Sequence, residues 1–157
     1  ASDGSRAADV AFAQMMVPHH EQAIEMADLA LSPGAKAGPD VVRLATAIKA
    51  AQAPEIATMN GWLSSWGAPD AGESMAGHAG HMMGVMSEDE MRSLAAASGA
   101  DFDAMWLTMM ITHHEGAVVM AQDVLSTTAD PAVKALAQAV VSGQTAEIDT
   151  MKGLLAG

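Results

Sequence analysis

The sequence predicts an all-α, single-domain four-helix bundle assembled from two copies of one helix pair. The first observation behind this is an internal repeat. Met15-Met16-Val17-Pro18-His19-His20-Glu21 returns as Met109-Met110-Ile111-Thr112-His113-His114-Glu115, an offset of 94 positions. Gln52-Ala53-Pro54-Glu55-Ile56 with Met59 returns as Gln144-Thr145-Ala146-Glu147-Ile148 with Met151, an offset of 92. Two copies of a helix pair, each unable to bury its apolar face alone, make a bundle with approximate two-fold symmetry. The second observation is composition. Hydrophobic residues make up 50% of the 157 residues and aromatics only 3%, with neither Tyr nor Cys. The apolar share is mostly Ala, Met, Val and Leu, which suits close helix packing better than a sheet. The third is punctuation at the expected ends of each helix.

In chain order, repeat one covers about 5–66, a central loop with a short helix 67–99, and repeat two about 101–156. Pro33-Gly34 closes the first long helix, and Gly38-Pro39-Asp40 opens the second. Pro54 falls inside that second helix and predicts a kink or a later start. Trp66-Gly67-Ala68-Pro69 ends it. Ser87-Glu88-Asp89-Glu90 reads as a capping box for the short helix, which stops near Ser98-Gly99. Asp101 or Asp103 is the expected start of the third long helix. Asp130-Pro131, a capping residue followed by Pro at the first helical position, opens the last. Met75 to Met86, with its glycines, reads as a loop.

Net charge excludes some partners. At −12, with only 7 Lys and Arg, the chain lacks the basic patch that nucleic acid or an anionic membrane surface requires. No segment reaches the roughly 18 uninterrupted apolar residues of a membrane span. The opening Ala1-Ser2-Asp3-Gly4-Ser5 carries no signal peptide and reads as a mature or trimmed start. Export is expected indirectly: without Cys, a soft-metal site must use thioether and imidazole, which remain usable in an oxidising compartment.

All six histidines lie in three places, His19/His20, His78/His81 and His113/His114, each flanked by some of the 14 methionines. At about 100° per residue, Met15, His19 and Met26 fall nearly on one line of the first helix, with Phe12 beside it. Met16 and His20 lie on an adjacent line, while Glu21, Glu25 and Asp28 point toward water. Met109, His113 and Met120 repeat the line, with Trp106 in place of Phe12. On the partner helices, Gln52 and Glu55 share a face with Ile48, Met59 and Trp62. Gln144 and Glu147 share one with Val140, Met151 and Leu154. Buried polar groups of this kind need partners, and the inward histidines or a metal are the nearest.

A methionine stripe at helical spacing is ordinarily adaptable core packing, and a Gln-x-x-Glu pair can simply bond His and backbone. The coincidence of Met and His one turn apart in both halves, and again in a Gly-rich loop with no core to fill, points instead to metal. Thioether sulfur selects Cu(I) or Ag(I); imidazole also accepts Cu(II) and Zn(II). A di-iron site would need more core carboxylates and Glu-x-x-His motifs. His-Glu-x-x-His is absent, which leaves zinc proteolysis unsupported, and no nucleophile or phosphate-loop pattern is present.

These runs resemble the bacterial domain-of-unknown-function family number 305. The matching stretches are Phe12 to Leu31, Gln52 to Trp62, Gly84-Val85-Met86-Ser87-Glu88-Asp89-Glu90-Met91, and Met109 to Met120. The resemblance implies an exported, Met/His-rich bundle of ferritin-like shape, with copper binding and copper tolerance among its members. Pro54 and the Met/His-rich central loop depart from the pattern.

The expectation is therefore an extracytoplasmic (periplasmic, cell-envelope or secreted) copper-binding protein serving sequestration, trafficking or tolerance. Copper is the expected cofactor, Cu(I) favoured over Ag(I) or Cu(II). The candidate ligands in the bundle are Met15, His19, His20, Met26, Met109, His113, His114 and Met120. Those in the loop are Met75, His78, His81, Met82 and Met83. Glu55, Glu147, Gln52 and Gln144 would orient the imidazoles. The expected partners are metal ions, with a copper-handling protein as a candidate; oligomeric state is not legible. One alternative is a structural or interaction bundle with His–Glu hydrogen bonds and no metal. The other is a metal-dependent redox enzyme, ranked last because no substrate site is identifiable.

Overall fold

A computed structural model describes residues 3–69 and 83–157. Four long helices dominate: α1 (Asp3–Leu31), α2 (Pro39–Ser65), α4 (Gly99–Leu125) and α5 (Pro131–Ala156). A 3-10 turn at Pro33–Ala35 joins the first two, and α3 (Glu88–Ala96) precedes α4. Among the described residues there is no strand, and the chain is the all-α bundle that the repeat predicts.

The boundaries follow local chemistry. Pro39 stands at the first turn of α2, where its missing amide costs nothing. Ser87 and Glu90 form the reciprocal capping box of α3. The Asp130 carboxylate accepts from the amides of Ala132 and Val133 to start α5. One expectation is narrowed and one corrected. Helix α2 runs from Pro39 through Pro54 to Ser65, which removes the later start. The carbonyl that loses its partner there belongs to Ala50, an exposed residue, so water can serve it. Helix α4 starts at Gly99 with Ser98 as its cap, ahead of both Asp101 and Asp103. Asp103 acts across the bundle instead. Its carboxylate accepts from the Gly38 amide at 3.0 and 3.1 Å and fixes the entry to α2.

Helix α1 packs on α2 and α4 on α5, and the pairs meet chiefly through α1 and α4, leaving α2 and α5 in looser apposition. Helices α1 and α4 run antiparallel, since the His19 ring meets that of His113 while the Trp106 indole donates to the Met26 carbonyl at 2.9 Å. Two apolar clusters fill the interior. One gathers Met26, Ile48, Trp106, Met110 and Met151. The other gathers Phe12, Met16, Met59, Met120 and Val140. At the second pole Trp62 and Trp66 stack with centroids 5.8 Å apart. Arg6 lies over Trp66 at 4.3 Å and bonds Asp130 at 3.0 Å, tying the first turns of α1 and α5 together.

Candidate metal centre

Between the two apolar clusters lies a polar layer. His19 and His20 on α1, Gln52 on α2, His113 and His114 on α4, and Gln144 on α5 are all buried there. One-helix geometry turns the first histidine of each pair inward, but both members of each pair are at most 1% exposed. The α1–α4 contact presents a face wide enough to cover adjacent positions. Glu21, Glu25 and Glu115 point to solvent, as the pattern requires.

The four imidazoles form two kinds of site. The rings of His19 and His113 meet across the α1–α4 contact, centroids 3.8 Å apart and planes inclined by 36°. His20 Nε2 lies 2.8 Å from Glu55 Oε1, and His114 Nε2 lies 2.8 Å from Glu147 Oε1. The glutamates thus partner the second histidine of each pair. A carboxylate accepts, so Nε2 carries the hydrogen and Nδ1 faces inward unpartnered in both rings.

The segment Met83 to Met86 lies across the first pair like a strap. His19 Nε2 donates to the Met83 carbonyl at 2.8 Å. Gln22 grips Met86 twice, donating from Nε2 to its carbonyl at 2.9 Å and accepting from its amide at 2.8 Å. Two glycines allow the close approach. Gly84 (φ +75°) sits where a Cβ would fall 2.5 Å from the Thr112 carbonyl oxygen. A Cβ on Gly116 would fall 2.1 Å from the Met83 carbonyl oxygen, so α4 must present a bare backbone there. Because a carbonyl can only accept, the strap fixes the His19 tautomer and leaves Nδ1 with its lone pair, buried and without a partner.

His113 has no hydrogen-bond partner at either ring nitrogen. An orphaned buried polar group ordinarily costs about 1–3 kcal/mol. Burial pushes His19 down to about 4, opposed by its bond to Met83 and reinforced by His20 and His114. Burial likewise holds His113 well below the usual imidazole range, reinforced by His19, His114 and His20 and opposed only by a weak interaction with the His19 backbone that falls outside ordinary hydrogen-bond geometry. Both rings are therefore neutral at pH 7 and carry lone pairs suited to a metal.

The thioethers are divided by the same layer. Met15 is half-buried, Met120 buried, and both line one groove of about 280 Å³ between α1 and α4, with Asp123 at its edge. Met26 is fully buried in the other apolar cluster, against which half-buried Met109 packs. Met109 also lines a wide surface groove with Met105 beside the end of α3. Met83 is 49% exposed. Met75, His78, His81 and Met82 lie outside the described residues. Among the described residues no three His, Asp or Glu side chains converge as a ready metal cluster, so any inner ion must draw on imidazole and sulfur together. The sequence did not single out the Met83 carbonyl or Gln22. Gly116 occupies the position of Gln22 in the second repeat, and that Gln-to-Gly exchange is the signal that could have revealed the strap.

These features define a class: a four-helix bundle whose centre sets imidazoles on two facing helices between layers of thioether. The chain belongs to the DUF305 family, a domain of unknown function, whose model matches residues 9–155. Its structure is similar to that of a DUF305 protein of Streptomyces coelicolor, described as a candidate secreted protein. They share 33% identity and a TM-score of 0.84, over 95% of this chain and 92% of that one. A DUF305 fragment from Deinococcus radiodurans shares 34% identity over 95% of both chains, with a TM-score of 0.83. CopM in its Cu(II)-bound form shares 34% identity over 94% of this chain and 95% of that one, with a TM-score of 0.81. CopM has also been solved with Cu(I) (TM-score 0.75, 32% identity, covering 93% and 94%) and with silver. No curated protein matches the chain significantly. No helix among the described residues is long and apolar enough to cross a membrane.

Proposed function

We propose that this protein binds copper in its polar layer and serves copper sequestration or trafficking outside the cytoplasm. The observation that carries this reading is His113, a buried ring with no partner at either nitrogen, set 3.8 Å from His19. A fold that retains so costly a group gains from a ligand that uses it. Nδ1 of His19 and a nitrogen of His113 would hold a Cu(I) ion. Met15 and Met120 on one side, and Met26 and Met109 on the other, supply thioethers that favour the soft oxidation state. His20 and His114, oriented by Glu55 and Glu147, extend the ligand set toward Cu(II). Met83, with Met75, His78, His81 and Met82 of the preceding segment, would capture ions from solution. The likeness to CopM, solved with Cu(I), Cu(II) and silver, supports copper with silver as a mimic. The description of the Streptomyces relative supports export.

The test is an anaerobic Cu(I) titration against a competing chelator. His19→Ala/His113→Ala should weaken binding by at least about 100-fold, while serine at Met75, His78, His81 and Met82 should lower stoichiometry and spare the tightest ion. Unchanged affinity in the His double variant would remove the inner site. A metal-free structural bundle is the second reading, favoured by the His20–Glu55 and His114–Glu147 bonds. It requires that copper leave the melting temperature unmoved, whereas binding to the folded state alone must raise it.

A further inference from the structure

Helices α2 and α5 leave a small cavity of about 60 Å³, lined by Gln52, Glu55, Gln144 and Glu147 and by small and apolar residues of both helices, Val140 among them. The four polar residues are repeat equivalents, so the cavity straddles the pseudo-two-fold axis. Each glutamate uses Oε1 for its histidine and has Oε2 to offer. Gln52 and Gln144 are 3% and 5% exposed, and neither amide oxygen has a partner. Among the described residues no Lys or Arg lines the cavity. Two carboxylates, each bonded on one oxygen to an imidazole, and two orphaned amide oxygens therefore line one small space, with the Gln52 amide nitrogen also unpartnered.

We propose that this seam is a second metal site, distinct from the His/Met centre, that takes a hard divalent cation of the Ca2+ or Mn2+ class through oxygen ligands. Glu55 and Glu147 supply the charge, and the amide oxygens of Gln52 and Gln144 complete the protein's share of the coordination. Hard cations take oxygen donors and leave sulfur and imidazole to softer ions. The space is large enough for a small cation and exceeds the roughly 10–15 Å³ that a single water needs. Water alone would satisfy the amides, whereas a cation would also use the carboxylate oxygens left over from the bonds to His20 and His114.

The experiment is a Mn2+ titration of the metal-free full-length chain at physiological ionic strength, followed by electron paramagnetic resonance, with Ca2+ as competitor. The expected result is a single saturable Mn2+ site that Ca2+ displaces. Gln52→Leu/Gln144→Leu should weaken it at least about tenfold. Glu147→Gln should do the same, since its amide oxygen can still accept from His114 while the charge is gone. Mn2+ affinity should be unchanged in His113→Leu, which removes the inner copper site, and this separates the two sites. Absence of saturable Mn2+ binding, or equal affinity in both the Gln double variant and Glu147→Gln, overturns the proposal.

Discussion

The two halves of the bundle carry almost the same residues and treat their first histidine differently. His19 gives its Nε2 hydrogen to the Met83 carbonyl, whereas neither nitrogen of His113 makes a hydrogen bond of ordinary geometry. The second histidines are alike, each bonded to a glutamate at 2.8 Å. The difference between the first histidines enters through the strap, and two repeat-equivalent residues build it. Gln22 clamps Met86 from the first half, and Gly116 withholds a side chain under Met83 from the second. Duplication sets the symmetric layer, and one connecting segment, present once, then gives one imidazole a fixed tautomer and leaves its twin unassigned.

The largest expected effect is at Gly116. In Gly116→Val the new side chain meets the strap backbone, and either α4 or the strap must move. A loss of about 3 kcal/mol is expected in denaturant melts of the metal-free protein. An unaltered midpoint would show that the strap is not seated as described.

Acid comes next. The unfolded chain protonates its histidines below about 6.5, while folded His19 resists until about 4. The unfolded state therefore binds more protons in that window. Metal-free stability should be full above pH 6.5 and fall as pH drops toward 4, on the order of 3 kcal/mol from His19, with His113 adding in the same direction. Melting temperatures across that range check it, and a flat profile would contradict the burial of these rings.

Gln22→Ala should follow at about 1–2 kcal/mol, the worth of two lost hydrogen bonds to Met86. The smallest effect has the opposite sign. His113→Leu removes two orphaned nitrogens and should raise the metal-free midpoint by about 1 kcal/mol while abolishing inner copper binding. A variant both less stable and copper-free would mean that His113 has a structural partner after all.

The repeat and the helix ends were legible because they rest on local chemistry: Asp130 and Ser87 cap where a sequence says they should, and apolar spacing decides which faces go inward. Which neighbour an inward face touches is another matter. Angular position placed His19 inward and His20 beside it, but the α1–α4 crossing buries both. That is why Glu55 and Glu147 reach the second histidines. The pairing of His19 with a main-chain carbonyl had no side-chain signature at all, since any residue at position 83 would offer the same oxygen. Pro54 does not begin a new helix because an exposed carbonyl tolerates the loss of its amide partner when water replaces it.

The placement of the three tryptophans has a practical consequence. Trp106 is sealed in one apolar cluster with its indole N–H on a carbonyl, while Trp62 and Trp66 stack in partial contact with solvent at the other pole. Their emission should differ in colour, the first bluer than the others. Fluorescence from the unlabelled protein therefore distinguishes its two ends, and shows whether heating melts them together or one before the other.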